Sequence, residues 1–326
     1  MSLRASIVVP TYRRPDLLER CLAALAAQDF EPHCYEVIVA DDGAEPRVRQ
    51  LVASWQARTR GAPMVRYVAV TQTQGPAGAR NRGWERACAD IVAFTDDDTI
   101  PRPDWLSEGV KAMTPAVSAA AGRVEVPLPT DRPLTDYELD IANMRSAEFL
   151  TANCFVRRGA LEAIGGFDER FTCAWREDSD LQFRLLEAKG RVVAARNAVV
   201  EHPVRPMPFA GGIRAHRKIA FDALLYKKHP ALYRERIRRA PPWSYYAIVA
   251  CLAAIAWGAL ARSPALAWGG LAVWLALTLA FLVKRLARTS RAPGHVAEMI
   301  VTSIAIPPVA VFWRLAGALR FRVLFL

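Results

Sequence analysis

Over roughly its first two hundred residues the chain alternates short apolar runs with segments whose apolar residues recur every three or four positions. Residues 5–10 (ASIVVP) are apolar enough to be a strand buried on both faces. Leu17, Leu18, Cys21, Leu22 and Leu25 then recur at helical spacing within 16–28. A second strand is predicted at 35–40, broken by Asp41-Asp42-Gly43, and a helix around 48–58 leads to a third strand at 65–70. The loop 74–78 opens a helix carrying Arg80, Asn81 and Arg82, and 91–95 is a further short strand. Strands alternating with helices imply right-handed βαβ units and a mostly parallel sheet, an α/β fold. Beyond 104 the alternation weakens. Strands are predicted at 119–126, 153–157 and 191–200, a loop at 127–133, and a buried helix over 180–189 from Leu181, Phe183, Leu185 and Leu186.

The pattern changes after Pro241-Pro242. No charged residue occurs in 243–261 or in 263–283, and each run matches the roughly 20 apolar residues that cross a bilayer. The prediction is a transmembrane hairpin with spans at about 243–261 and 264–283. The apolar stretch 299–313 is interrupted by Pro307-Pro308 and followed by Arg314, Arg320 and Arg322, which suits a re-entrant or interfacial segment. The expected domains are therefore an α/β domain at 1–210, a basic amphipathic linker at 211–242, the hairpin at 243–283, and a basic loop with the re-entrant or interfacial segment at 284–326.

Charge sharpens this picture. The formal net charge is +11, and its basic residues crowd 214–239 and 284–291, on either side of the hairpin. Both flanks would lie on one face, the cytoplasmic one by the positive-inside rule, where they meet anionic headgroups. The expected location is the cytoplasmic membrane, multi-pass, with the α/β domain in the cytoplasm. No aromatic platform or motif for nucleic acid accompanies the charge, so membrane lipids and not nucleic acid are the expected partners. The N-terminal MSLRASIVVP lacks the long apolar core of a signal peptide. The six cysteines form no Cys-x-x-Cys pair and are expected to be reduced.

The chemistry concentrates in FTDDDTIPRPDWL (94–106). Three adjacent carboxylates, Asp96, Asp97 and Asp98, repel one another at a strand end unless a cation sits among them. The alternatives are a solvated acidic turn and a metal-diphosphate site. In α/β sheets ligands lie beyond the carboxyl ends of the strands. Thr11-Tyr12, Asp41-Asp42 and Asp96–Asp98 all fall at such ends. Glu177 and Asp178 lie just before or within the first turn of a helix, where carboxylates also serve as caps.

The segments VVPTYRRPDLLERCL (8–22), YEVIVADDG (35–43), GPAGARNRGWERA (75–87), IVAFTDDDTIPRPDWL (91–106), NCFVRRGALEAIGGFDERF (153–171) and REDSDLQFRLLEAKG (176–190) resemble the family 2 glycosyltransferases of the GT-A fold, in order and spacing, over about 1–205. The resemblance implies a Rossmann-like, mostly parallel mixed sheet with flanking helices. It implies that Pro10, Thr11, Tyr12 and Asp42 hold the nucleotide base, with Tyr12 packing on uracil and Asp42 accepting from its N3–H. Arg80 matches a basic position near the diphosphate, or is a surface helix arginine. Asp96 and Asp98 match the Asp-x-Asp motif: Asp98 would bind Mg2+ or Mn2+, Asp96 would reach the ribose or sugar, and Asp97 could do either. Asp178 matches the catalytic base of an inverting transfer. His202 lies where some members place a further metal ligand, or is structural.

Processive members carry a Gln-x-x-Arg-Trp motif, whereas the corresponding region here reads GGIRAHRKIAFD (211–222). The resemblance therefore implies transfer of one sugar per encounter from a nucleotide sugar, a UDP-sugar by expectation. The acceptor would be lipid-linked or a glycan, in cell-envelope polysaccharide or glycolipid synthesis. The rivals are a metal-dependent nucleotidyltransferase, whose Gly-rich signature is absent, and a membrane scaffold that binds nucleotide sugar without transferring it.

Overall fold

The structure, a computed structural model, describes residues 2–325. Its contacts divide into two units: one takes in the chain up to Pro127 and Asn143–Val204, the other Leu128–Ala142 and the chain from Arg205 onward.

The first unit is built on one mixed sheet. The strands are β1 (Ala5–Thr11), β2 (Tyr35–Asp41), β3 (Met64–Ala69), β4 (Ile91–Thr95), β5 (Ile100–Pro101), β6 (Ala119–Glu125), β7 (Asn153–Arg157) and β8 (Val192–Glu201), in the order β3-β2-β1-β4-β7-β6-β8-β5. The helices are α1 (Pro15–Ala26), α2 (Pro46–Thr59), α3 (Pro76–Trp84), α4 (Trp105–Ala112), α6 (Arg158–Ile164) and α7 (Glu177–Glu187), while α5 (Asp136–Ala142) belongs to the second unit. Strands β3, β2, β1 and β4 are parallel, as their connecting helices require. β7 runs antiparallel to β4 and to β6, and β8 is parallel to β6. The carboxyl ends of β1, β2, β4, β6 and β8 therefore share one edge.

The burial pattern explains why these runs became strands. Every residue of β2 and β4 is buried, and Val8, Ile38, Val92, Phe94, Val156, Phe167, Leu181 and Leu185 form one core across the sheet. Burying Glu36 within β2 is compensated by Ser6 Oγ at 2.7 Å and Arg66 Nη1 at 2.9 Å. The register of β6 against β8 slips between Gly122 and Arg123, and the amide of Asn153 fills the gap. Its Nδ2 donates to the carbonyls of Arg123 and Ala198, both at 2.9 Å, while its Oδ1 accepts from Trp105 Nε1 at 2.8 Å.

Two short devices set the edge where chemistry is expected. β5 pairs with β8 so that Ile100 lies opposite Glu201, which pins the turn after β4 beside the residue that follows β8. α3 meanwhile sits very close to the sheet: a Cβ on Gly83 would come within 2.3 Å of Val8 Cγ1.

In the second unit, α5 opens on a capping box in which Thr135 N–H donates to Glu138 Oε2 at 2.8 Å and Glu138 N–H to Thr135 Oγ1 at 3.2 Å. Asp136 accepts from Arg285 Nη2 at 2.8 Å, and Arg285 Nη1 donates to Thr302 and Ser303, each at 2.9 Å. Three helices here, Trp243–Leu260, Pro264–Leu286 and Pro293–Phe321, are long and apolar enough to cross a membrane. The third differs from the short interrupted stretch expected at 299–313: it is one 29-residue helix that runs through Pro307-Pro308. Its length is held by packing, since Ile306, Pro307, Ala310, Val311 and Arg314 are all buried and it lies along the helix Ala220–Lys228. Proline in a helix forfeits backbone bonds, and tertiary burial of this kind offsets that loss.

Replacing Gly83 by Ala is expected to lower stability by about 1–3 kcal/mol through overpacking against Val8. Thermal unfolding of the purified chain measures this; an unchanged midpoint would mean that α3 can lift off β1 freely.

Candidate active site

The turn after β4 distributes its three carboxylates in three directions. Asp97 points into the protein: its Oδ2 accepts from Thr11 Oγ1 at 2.7 Å and its Oδ1 from Arg14 Nη1 at 3.4 Å. Burial pushes its carboxyl up to about 6, against the Thr11 hydrogen bond, and the neighbouring Asp98 charge adds to the rise. Asp98 is buried too, with Oδ1 3.5 Å from His202 Nε2 and Oδ2 3.8 Å from Arg14 Nη1. Asp96 remains partly open and accepts from Arg80 Nη2 at 2.7 Å. The turn itself is closed by Thr99, whose N–H and hydroxyl both donate to the Asp96 carbonyl at 3.2 and 2.8 Å.

His202 reaches Asp98 because β8 ends one residue earlier and its N–H donates to the Glu125 carbonyl at 2.7 Å, fixing the chain direction. Asp98 and His202 thus present one carboxylate oxygen and one imidazole nitrogen within ligand spacing. Among the described residues there is no cluster of three or more His, Cys, Asp and Glu side chains that could hold a metal ion. The pair nevertheless fits a divalent cation that takes its other ligands from phosphate oxygens and water.

At the end of β2 the two aspartates have different work. Asp41 is spent on the turn: it accepts from Gly43 N–H at 3.0 Å, Glu45 N–H at 2.7 Å and the Tyr67 hydroxyl at 2.9 Å. Asp42 gives Oδ2 to Gly75 N–H at 2.8 Å, a contact made possible by the φ of 114° that glycine adopts there. Its other oxygen, Oδ1, is buried without a hydrogen-bond partner, and burial raises the carboxyl above its ordinary value. Tyr12, after β1, keeps 47% of its surface exposed and has the Arg13 guanidinium 5.1 Å from its ring centre. Pro10 lies beside Ala40 in the β1/β2 ladder, one step before Thr11 and Asp41.

Arg80 is not a surface arginine. It is 2% exposed, its Nη2 on Asp96 at 2.7 Å and its Nη1 on Glu177 Oε1 at 3.1 Å, with Phe167 beneath it. The small residues Ala77, Gly78, Ala79 and Gly83 let α3 come close enough to the sheet to bury it. Asn81 steadies the same region by accepting from Phe167 N–H at 2.8 Å and donating to the Phe167 carbonyl at 2.9 Å.

Asp178 occupies the first turn of α7 and is half-buried. Its Oδ1 accepts from Ser179 N–H at 2.6 Å. Burial raises the proton affinity of both Asp178 and Glu177, and Asp178 pushes Glu177 further by repulsion. Before the helix, Arg176 adopts a left-handed φ of 76° and stacks on the Trp175 ring at 4.3 Å.

The structure draws in two residues that the sequence left aside. Arg14, in the short connection between β1 and α1, reaches both Asp97 and Asp98. Glu177, read as a helix-capping carboxylate, is instead the buried partner of Arg80 from 97 positions away.

Comparison with known proteins agrees with this architecture. The family "Glycosyl transferase family 2" matches residues 6–165, and "Glycosyl transferase family group 2" matches residues 91–316, more than half of the chain. The chain belongs to the family 2 glycosyltransferases and is a glycosyltransferase with the Rossmann-like GT-A core, acting on a nucleotide-sugar donor. It is 26% identical to the glycosyltransferase AglE of Haloferax volcanii over 209 residues, covering 62% of this chain and 67% of that one. It is 30% identical to the validoxylamine A glucosyltransferase of Streptomyces hygroscopicus subsp. limoneus over 218 residues, 55% of this chain and 47% of that protein. The chain thus aligns with about half the length of the Streptomyces relative. Among solved structures, a mannosyltransferase of Pyrobaculum calidifontis in complex with GDP-Man and Mn2+ shares the fold at a TM-score of 0.60 and 22% identity, over 93% of this chain and 88% of that one.

Replacing Thr11 by Val removes the shorter of the two hydrogen bonds on a buried carboxylate and is expected to cost about 1–3 kcal/mol, whereas Thr11→Ser should stay near the parent. Chemical unfolding of the three proteins tests it; equal stability of all three would mean that Asp97 finds another donor.

Proposed function

We propose that the protein is a membrane-anchored, metal-dependent, inverting glycosyltransferase that moves one sugar per encounter from a UDP-sugar to a lipid-linked or glycan acceptor, with its active site on the cytoplasmic side. The observation that supports this reading is the bridge from Arg80 to both Asp96 and Glu177, which ties the aspartate turn to the start of α7, where Asp178 follows Glu177.

Tyr12 offers an exposed ring face to a uracil, and the unpartnered Oδ1 of Asp42 is an acceptor for its N3–H. Pro10 and Thr11 shape the floor beneath the base. Asp96 accepts from ribose or sugar hydroxyls, and Arg80 keeps that carboxylate aimed. Asp97 acts from behind, holding Thr11 and Arg14 in place. Asp98 and His202 would hold Mg2+ or Mn2+, which supplies charge neutralisation on the departing diphosphate when bound. A protein of the same fold is known in complex with GDP-Man and Mn2+, which supports a cation here.

In the transfer, Asp178 takes the proton from an acceptor hydroxyl as its oxygen forms a bond to the anomeric carbon. The bond from that carbon to the diphosphate oxygen breaks, and the nucleoside diphosphate leaves with the electron pair. Attack from the face opposite the leaving group inverts the anomeric centre. Arg14, half-exposed beside Asp97 and Asp98, adds positive charge near the diphosphate. Three apolar helices and the basic residues at 214–239 and 284–291 support anchoring at an anionic bilayer surface. The absence of Gln-x-x-Arg-Trp at 211–222 supports single-sugar transfer.

The test is turnover of UDP-glucose, UDP-galactose, UDP-N-acetylglucosamine and GDP-mannose by the purified full chain, read as nucleoside diphosphate release. Asp178→Asn is expected to lower turnover by about 10²–10⁴-fold while leaving nucleotide binding largely intact. Because burial raises the proton affinity of Asp178, and the base must be ionised, activity should fall on the acid side at a pH above the ordinary aspartate value. Full turnover by Asp178→Asn would discard the base assignment. For the cation, EDTA should abolish turnover and Mn2+ restore it, and Asp98→Ala should raise the Mn2+ concentration needed by at least about tenfold. Turnover indifferent to EDTA would remove the metal role of Asp98 and His202.

A further inference from the structure

We propose that Arg80 and Glu177 are positioning residues that act through Asp178: Arg80 holds Glu177 against the base and ties it to Asp96, so the donor-side carboxylate and the base share one charge network. The proposal rests on the reading of Asp178 as the base and deepens it.

Arg80 has no open face to offer a phosphate. It is 2% exposed, and both of its terminal nitrogens are occupied, one by Asp96 and one by Glu177. Glu177 is equally enclosed, at 4% exposure. A purely structural core would gain as much from apolar side chains of similar volume, because burying the ions costs solvation. The pairing is also incomplete in a way a structural bridge would avoid: Arg80 Nε and Glu177 Oε2 are buried without hydrogen-bond partners. Two carboxylates, Asp96 and Glu177, share one cation, and the second adjoins Asp178 in sequence.

The charges facing Asp178 come from several elements. Arg176, Glu177 and the Ser179 donors lie on its own turn, Arg80 comes from α3, and the buried Cys154 thiol comes from β7, while Asp96 at the end of β4 acts on Glu177 and on Arg80. Within this set Glu177 is the nearest anion in sequence and Arg80 a cation supplied from another element. Removing the Glu177 charge makes ionisation of Asp178 easier, and removing the Arg80 charge makes it harder. The two substitutions therefore have opposite signs. A residue that merely supported the fold would lower turnover without moving the pH profile.

The experiment is nucleoside diphosphate release against pH, with the full chain in detergent, water as acceptor, and whichever of the four nucleotide sugars is turned over. Glu177→Gln is expected to move the acid limb down by at least about 0.5 pH unit, and Arg80→Gln to move it up by a similar amount. Arg80→Lys keeps the charge but cannot fork to both carboxylates. It should leave the limb in place while lowering kcat about tenfold at unchanged KM. Limbs that stay fixed, or that move the same way in both neutral variants, overturn the proposal. If Arg80→Gln does not fold, the direction shown by Glu177→Gln decides alone. Asp178→Asn separates the two levels: if it retains turnover, the base assignment itself fails, whereas its loss of turnover with immobile limbs in the other variants sinks only the coupling.

Discussion

A guanidinium kept out of water must be surrounded by charge, and Arg80 obtains that charge from two places far apart in the chain. Asp96 closes the fourth strand and Glu177 opens the last long helix of the first unit, 97 residues from the arginine. Removing one partner of such a buried set leaves an uncompensated ion, typically costing about 3–5 kcal/mol, so α3, the aspartate turn and the start of α7 are held to a common geometry. The glycine and alanine residues of α3 serve this arrangement, because only a closely seated helix can bring the arginine so deep. Packing and electrostatics are thus one constraint here.

The strand topology then completes the edge. Parallel pairing from β3 to β4 brings Thr11, Asp42 and Asp96 to one side by the ordinary logic of βαβ units. The two-residue strand β5 does something that logic does not require: by pairing with β8 it brings Asp98 to His202. A short antiparallel contact therefore determines whether the second half of the sheet reaches the aspartate turn at all.

Much of this was legible in the sequence, for a physical reason. Apolar runs are local, and so are the aspartates, prolines and glycines that end them, so strand ends and their polar residues could be read within a residue or two. The partners of those residues could not. Arg80 is compatible with a surface helix until its distant carboxylates are known. Glu177 looks like a capping residue because first-turn acids are common. Arg14 sits in an undistinguished loop. The helix through Pro307-Pro308 was missed for a similar reason, since proline is a local signal against a helix while burial along Ala220–Lys228 is a tertiary one for it.

The segment Leu128–Ala142 leaves the first unit after Pro127 and returns at Asn143, having spent its length among the contacts of the second. Within that second unit Asp136 is gripped by Arg285 and the Leu134 carbonyl by Ser290 N–H. The units are consequently joined by three passages of the polypeptide, at 127–128, 142–143 and 204–205, where a single tether would have sufficed for a removable anchor. A cut after residue 204 would part the segment that carries α5 from Arg285 and Ser290, which hold it.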